Sequence, residues 1–158
     1  MGSGKSLCSR YLGDILNREV ISTDEEIERR ERKPIADIFQ QKGEAYFREL
    51  ETRVVKDVCT MPEKIIDTGG GVVLNKENLD ILKANGILIW LKASPETIWK
   101  NVNLVKRQRP LLDVEDPMAK IKELLAERTP FYSQADISLV TDGKSIRHIC
   151  EEIVGLLS

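Results

Sequence analysis

The first six residues, Met1-Gly2-Ser3-Gly4-Lys5-Ser6, constrain the fold of this chain more than any other stretch. They match the end of the phosphate-binding pattern G-x-x-x-x-G-K-[ST], whose first glycine would lie two residues upstream. Gly2 and Gly4 lack a Cβ, so the backbone can turn tightly and bring its N–H groups to phosphate oxygens. Lys5 supplies a charge for the β- and γ-phosphates, and the Ser6 hydroxyl is a ligand for Mg²⁺. The stretch predicts a nucleoside triphosphate and leaves the second substrate open; the alternative is a flexible tail.

Composition narrows the class of protein. A chain of 158 residues with 41% hydrophobic and 32% charged residues fits one globular domain, residues 1–158. A net charge of −2 gives no electrostatic reason to expect nucleic acid or an anionic membrane as a partner, and no apolar run approaches the roughly 20 residues of a membrane span. The three cysteines are scattered, without a metal-binding spacing or a signal peptide. We expect a monomeric, cytoplasmic protein in a reducing compartment.

Hydrophobic periodicity divides the chain into alternating helices and strands. Strands are predicted at residues 19–22, 64–67, 87–91 and 137–141. Helices are predicted at residues 5–16, 25–32, 35–41, 44–59, 76–85, 95–104 and 118–129, with a last one from residue 146. The strand at 87–91 is apolar throughout, which is typical of burial on both faces. This order predicts an α/β fold with a central parallel sheet flanked by helices.

Several helix ends have local signals. Ser94-Pro95 and Ser145 are typical helix starts, and Thr23 is a possible cap for the helix at 25–32. Gly86 is the expected C-terminal glycine of the helix at 76–85. Pro130 should stop the helix that begins at residue 118.

The beginning of the chain lacks one expected element. A phosphate-binding loop normally follows a buried strand, and no residues precede the loop in this sequence. That strand would lie inside the sheet, where loss of its backbone partners is costly. We therefore expect that Met1 is not the natural start and that a short strand followed by Gly-x precedes it.

Four groups of residues after the loop are candidates for chemistry. Asp24 follows the predicted strand at residues 19–22, at the edge where parallel sheets bind ligands, but it also fits a first-turn helix acid. Arg48 and Glu51 share a helix face and could be a solvated ion pair. Gly69-Gly70-Gly71 at a strand end indicates close approach of a ligand or simply a tight turn. Asp67 ends the predicted strand at residues 64–67. An acid at this position can support a bound metal, or it can simply bond to nearby backbone.

Two arginines further along complete the candidates. Arg109 lies in the polar stretch at about residues 105–117, which we interpret as a lid; lids exclude water from a reactive phosphate. There an arginine can stack on adenine or neutralise phosphate, and the alternative is an exposed basic loop. Arg128 ends a predicted helix, where a cation is also favoured by the helix dipole.

The ordered set of motifs resembles the shikimate kinase family over essentially the whole chain. The pieces are the phosphate loop, Thr23-Asp24, Ala36-Asp37-Ile38-Phe39, Gly43-Glu44 with Phe47-Arg48 and Glu51, Thr68-Gly69-Gly70-Gly71, Arg109-Pro110-Leu111-Leu112, and Arg128 with Pro130 and Tyr132. Only the phosphate loop is diagnostic by itself; the order and spacing of the seven pieces are specific. The resemblance implies a nucleoside-monophosphate-kinase-like fold with a mobile lid, and transfer of a phosphoryl group from ATP to the 3-hydroxyl of shikimate with Mg²⁺, in chorismate and aromatic amino acid biosynthesis.

The resemblance also implies a role for each matching residue. Asp24 would bind shikimate hydroxyls and help to accept the proton, and Arg48 and Arg128 would hold the carboxylate, with Gly69, Gly70 and Gly71 as backbone contacts. The catalytic set implied is Lys5, Asp24 and Arg109. The nucleotide contacts implied are Gly2, Ser3, Gly4, Lys5, Ser6, Leu7, Arg109 and Lys144, with Ser6 as the metal ligand.

This sequence departs from the family pattern at three points. Ser22 stands where the family usually has an acid that supports the metal, Leu7 replaces a hydroxyl residue after the phosphate loop, and the first strand and first loop glycine are absent. Two other functions therefore stay open: another small P-loop kinase, for gluconate or a nucleotide, and a degenerate kinase that binds ligands without turnover.

Overall fold

The fold consists of short parallel strands, each followed by a helix. The structure is a computed structural model, and it describes residues 2–104, 112 and 114–158. Its strands are β1 (Val20–Ser22), β2 (Ile65–Asp67), β3 (Ile89–Lys92) and β4 (Ile137–Val140). Its helices are α1 (Lys5–Leu16), α2 (Thr23–Glu31), α3 (Ile35–Cys59), α4 (Lys76–Asn85), α5 (Pro95–Leu104), α6 (Pro117–Tyr132) and α7 (Ile146–Leu157), with a 3₁₀ turn at Val72–Leu74.

The strands pair in parallel, as the alternation of elements predicts. In the described part of the chain, β1 pairs with β2 and β3 pairs with β4, so they form two two-stranded sheets rather than one continuous sheet. The register places Ser22 opposite Asp67 at the carboxyl ends of the first pair. In parallel sheets these ends face the ligand crevice, so residues that follow β1 and β2 are brought together there.

The core is shared between the two sheets and the helices around them. On one face of the sheets, α1 packs against α7 and against β2. Ile65 of β2 and Ile89 and Leu91 of β3 contact the same apolar cluster, which includes Cys8 and Cys150. The Sγ atoms of these two cysteines lie 3.2 Å apart although they are 142 residues apart in sequence. A second cluster joins α2 to α3, which fixes the position of the candidate residues on those two helices.

Several predicted helix starts are confirmed, and one cap differs. Ser94 and Ser145 accept hydrogen bonds from Thr97 and His148 at the starts of α5 and α7. The cap of α2 is Ser22, which accepts from the Glu25 backbone N–H at 3.3 Å, and not Thr23 as expected. Thr23 is fully buried and is already the first residue of the helix.

Other predictions on local structure need correction. Strand β3 is only half-buried apart from Leu91, and Ile87 lies before it with 59% exposure, so this strand is not buried on both faces. The helices predicted at 35–41 and 44–59 are joined into α3 with an interruption at Gly43, whose φ is 79°. Gly86 follows α4 as predicted, but its backbone is extended and does not require glycine.

The prediction that Pro130 stops a helix is wrong. Helix α6 continues through Pro130 to Tyr132. Proline removes one backbone donor there, but the backbone N–H of Ser133 still donates to Thr129 and that of Gln134 to Phe131. Because the helix continues, Tyr132 lies one turn after Arg128 on the same face. In the described residues, no helix is long and apolar enough to cross a membrane.

Candidate active site

The phosphate loop, Gly2–Ser6, has the conformation that its glycines predict. Gly2 and Gly4 have φ values of 62° and 88°, in the left-handed region that favours glycine. Helix α1 begins at Lys5, and its first turn has no side-chain cap and no acidic residue. The backbone N–H groups of that turn therefore remain available to an anion such as phosphate.

One side chain from another element braces this loop. The amide nitrogen of Asn101, on α5, donates a hydrogen bond to the carbonyl of Gly2 at 2.6 Å. A Cβ on Gly2 would lie 3.0 Å from Ile98 and 3.1 Å from Val102, so α5 packs directly against the loop. The sequence does not predict this role for Asn101, because an asparagine within a helix is common and has many ordinary explanations.

The residues available to a metal have the oxygen donors that Mg²⁺ prefers. Ser6 is exposed on the first turn of α1, and Asp67 is buried at the end of β2, against which α1 packs. Magnesium usually takes one or two protein oxygens together with waters and phosphates, so this donor set fits it. Among the described residues there is no cluster of three or more metal-ligating His, Cys, Asp or Glu side chains.

The second part of the site is a wall that we call the acceptor wall. It consists of Asp24, Arg48, Glu51, the Gly69–Gly71 segment and Arg128. Within the wall, Asp24 of α2 lies close to the glycine segment. A Cβ built on Gly69 would be only 2.7 Å from Asp24 Oδ1. The backbone N–H of Gly69 donates to the hydroxyl of Thr23 at 3.0 Å. A side chain at residue 69 would displace the Asp24 carboxylate, so the close approach favours a role in the site over a simple tight turn.

Arg48 and Glu51 form a half-buried ion pair rather than a solvated one. Glu51 is 1% exposed, and Arg48 donates to it from a guanidinium nitrogen at 3.0 Å while a second nitrogen contacts Glu44. Burial raises the pKa of Glu51, against the opposing attraction of Arg48. A Cβ on Gly71 would lie 2.7 Å from the Arg48 guanidinium nitrogens. The pair thus holds the arginine fork directly against the glycine segment.

Arg128 brings a buried cation to the same wall. It is 5% exposed, and its Nε has no hydrogen-bond partner. Among the described residues no carboxylate lies within ion-pair distance of it, although its charge acts on Glu51. A buried cation without a counter-ion is costly, so the arrangement favours an anionic ligand at this position.

The two parts of the site open into one cavity of about 250 Å³. Ser3 and Lys5 of the phosphate loop line it together with Gly69, Gly70 and Arg128 of the acceptor wall. A phosphate bound by the loop would therefore face Gly69, Gly70 and Arg128 across one space. Asp24 and Arg48 do not line this cavity; they lie against Gly69 and Gly71 beside it.

Of three further predicted nucleotide contacts, two are exposed and the third lies outside the described residues. Lys144 is exposed on the loop before α7, where its Nζ pairs with Glu152 at 2.8 Å. Leu7 follows the phosphate loop with 61% exposure. Arg109 and most of the lid predicted at 105–117 lie outside the described residues, which resume fully at residue 114.

Fold and site together define a P-loop kinase for a small anionic acceptor. The family model described as shikimate kinase matches residues 1–158. A shikimate kinase of Caldanaerobacter subterraneus subsp. tengcongensis is 42% identical over 154 residues, which cover 98% of this chain and 90% of that protein. A shikimate kinase of Persephonella marina is 41% identical, with 98% and 93% covered.

Solved structures agree with these relatives. A shikimate kinase from Acinetobacter baumannii in complex with shikimate superposes with a TM-score of 0.94 at 34% identity, covering 99% of this chain and 88% of that one. The shikimate kinase from Aquifex aeolicus gives 0.82 at 36% identity, with 99% and 90% covered. This chain belongs to the shikimate kinase family, whose members are ATP-dependent kinases and require a divalent metal. The resemblance stated from the motifs is confirmed.

Proposed function

We propose that this protein transfers the γ-phosphoryl group of ATP to the 3-hydroxyl of shikimate, giving shikimate 3-phosphate and ADP. Family membership supports this over the whole chain. The observation that carries it is the pair of arginines at the acceptor wall, one of them buried and without a carboxylate partner in the described residues. Assignment as a gluconate kinase or a nucleotide kinase would account for the phosphate loop equally well. It would not account for two arginines around a glycine segment.

The arginines would recognise the carboxylate of shikimate. A guanidinium group is planar and always charged, so it presents paired donors that match the two oxygens of a carboxylate. Glu51 restrains Arg48 from one side and the glycine segment restrains it from the other. The acceptor would therefore meet donors that are already oriented, which reduces the entropy lost on binding.

Asp24 would orient the reacting hydroxyl. Its carboxylate lies over Gly69, beside the cavity that also contains Lys5. A carboxylate at this position can accept a hydrogen bond from the acceptor hydroxyl and then its proton. Lys5 would stabilise the charge that develops on the transferred group, since phosphoryl transfer depends mainly on positioning and charge.

The nucleotide would be held by the phosphate loop, Gly2–Ser6, and the backbone of Leu7, through free N–H groups at the start of α1. Mg²⁺ would be held by the Ser6 hydroxyl, with Asp67 or Asp24 reaching it through water. When bound, it neutralises phosphate oxygens and the charge of the leaving group. The roles of Arg109 and Lys144 stay predictions. So do the single-domain organisation with its lid, the monomer, the absence of nucleic acid and membrane partners, and the cytoplasmic location. The net charge of −2 supports the absence of those partners, and the free cysteines support a reducing compartment.

A coupled assay of ADP release tests the proposal directly. We expect turnover with shikimate and none above background with gluconate or nucleoside monophosphates. Turnover with one of those instead would identify another small-molecule kinase. Calorimetric binding of shikimate without ADP release would identify a degenerate kinase, the alternative motivated by Ser22. Light scattering of the purified protein checks the monomer.

A further inference from the structure

Tyr132 connects the helix that carries Arg128 to the glycine segment of the acceptor wall. Its hydroxyl donates a hydrogen bond to the carbonyl of Gly70 at 2.6 Å. This contact exists only because α6 continues through Pro130, which brings Tyr132 onto the same face as Arg128. Burial raises the pKa of the Tyr132 phenol, while the neighbouring Arg128 guanidinium opposes that rise, so the hydroxyl remains a donor.

The contact with Gly70 fixes the direction of a whole peptide unit. The carbonyl of Gly70 and the N–H of Gly71 belong to the same planar peptide and point in opposite directions. When Tyr132 holds the carbonyl on one side, the Gly71 N–H faces the other. Thr23 holds the preceding part of the segment through the Gly69 N–H. Glycines have the largest backbone freedom of any residue, so these two hydrogen bonds restrict a segment that would otherwise move.

The Tyr132 ring is itself restrained. It packs on Trp90 of β3 with ring centroids 5.5 Å apart and an angle of 38° between the planes. Lys92 lies over the Trp90 ring, with Nζ 4.4 Å from its centroid. The ring is therefore held between β3 and α6, and its hydroxyl transmits their positions to the glycines.

We propose that Tyr132 is a positioning residue for the acceptor: it sets the Gly69–Gly71 segment against Arg48 and Arg128 so that the acceptor hydroxyl is held for transfer. The inference rests on the proposed function for the identity of the acceptor. Tyr132 lines the cavity beside Gly70 and Arg128, and in the described residues its hydroxyl has no hydrogen bond to the phosphate loop, so its effect should be confined to the acceptor side.

Tyr132→Phe and a matched control test this inference. Tyr46→Phe removes the same atom from a phenol that contacts Lys42 at 2.9 Å and Glu31 at 3.2 Å, on α3 away from the cavity. Loss of one hydrogen bond corresponds to about a 2- to 12-fold change in an equilibrium. We expect a rise of that size in the shikimate KM of Tyr132→Phe, no change in ATP affinity, and no change of either in Tyr46→Phe.

Hydrogen exchange of the amides in Gly69–Gly71 gives a second readout that needs no turnover. We expect faster exchange in Tyr132→Phe than in the wild type and Tyr46→Phe. If shikimate is not a substrate of the wild type, the proposed function fails, and the exchange rates still decide the role of Tyr132. Equal exchange in both variants, an unchanged shikimate KM in an active enzyme, or a melting temperature of Tyr132→Phe lower by more than about 10 °C, which would indicate a structural role, overturns the inference.

Discussion

The acceptor wall and the phosphate loop are built in different ways, although they line one cavity. Residues of the wall come from α2, α3, the segment after β2 and α6. Arg48 and Glu51 bond to each other, and the glycine segment bonds to Thr23 of α2 and Tyr132 of α6. The loop is a single turn of chain, braced from α5 by Asn101 at Gly2, with an uncapped first helical turn. The wall is thus preformed by protein contacts, whereas the loop keeps donors that only an anion would satisfy.

This difference has a consequence for mutations. Changes in the loop should alter transfer of the phosphoryl group with little effect on stability, because its side chains support few protein contacts. Changes in the wall should alter acceptor binding and, where they leave a buried charge unpaired, stability as well.

Lys5→Ala should cause the largest loss. Removal of a cation that stabilises developing charge lowers kcat by about 100- to 1,000-fold in comparable cases. The melting temperature and the calorimetric affinity for shikimate should remain those of the wild type, because Lys5 belongs to the loop. Lys120→Ala, at an exposed pair with Glu123 on α6, is the control. A large fall in melting temperature for Lys5→Ala would contradict the contrast between loop and wall.

Arg48→Ala and Arg128→Ala should each raise the shikimate KM by about 10- to 150-fold, since each removes a charged hydrogen-bond partner of a carboxylate. ATP affinity should stay nearly constant. The two variants should differ in stability: Arg48→Ala leaves Glu51 buried and unpaired, whereas Arg128→Ala removes a buried cation that has no carboxylate partner in the described residues. We expect a larger fall in melting temperature for Arg48→Ala. A fall in ATP affinity with unchanged shikimate KM would show that these arginines are wrongly assigned.

Ser22→Asp should have a moderate effect confined to the metal. Aspartate caps a helix as well as serine does, so Ser22→Asp should keep the cap of α2 and the melting temperature. The control Ser22→Ala removes the cap and should lose about 0.5–2 kcal/mol of stability. An added carboxylate two residues before Asp24 should lower the Mg²⁺ concentration needed for half-maximal rate or raise kcat. Identical magnesium titrations for Ser22→Asp and wild type would mean that Asp67 or water already serves this purpose.

The smallest effect concerns Glu26, on the outer side of the helix that carries Asp24. Hydrogen bonds from Arg29, and then from Arg30, lower the pKa of Glu26 to about 2, and Arg30 also links α2 to Asp57 of α3. A lowered pKa means that the ionised form stabilises the fold above the ordinary carboxyl pKa, and that this contribution is lost as pH falls towards 2. Glu26→Gln should therefore lower the free energy of unfolding at pH 7 by less than about 1 kcal/mol, which is seen as a slightly lower melting temperature. The difference from wild type should disappear near pH 2; a constant difference would exclude this origin.

Local rules accounted for much of the fold. The helix starts at Ser94-Pro95 and Ser145 and the whole of α4 agree with the predictions, because caps depend on residues within one turn. The parallel pairing agrees as well, since it follows from the order of elements. Pro130 was predicted wrongly: its helix-breaking tendency is local, but contacts of Tyr132 with Gly70 and Trp90 hold the last turn.

The phosphate loop, the order of the candidate residues and their resemblance to one family can all be predicted from the sequence, because they are patterns of residue type and spacing. Which charges are buried depends on how distant elements pack, so it is known from the structure alone. Glu51 and Arg48 have the spacing of an ordinary surface pair, yet Glu51 is buried against the glycines. Arg128 looks like a helix-end cation, yet it lies buried in the acceptor wall. Thr23 and Gly69 are 46 residues apart in sequence, and Gly70 and Tyr132 are 62 apart, yet each pair is hydrogen-bonded. Such contacts arise because distant elements pack together, and local sequence patterns do not predict them.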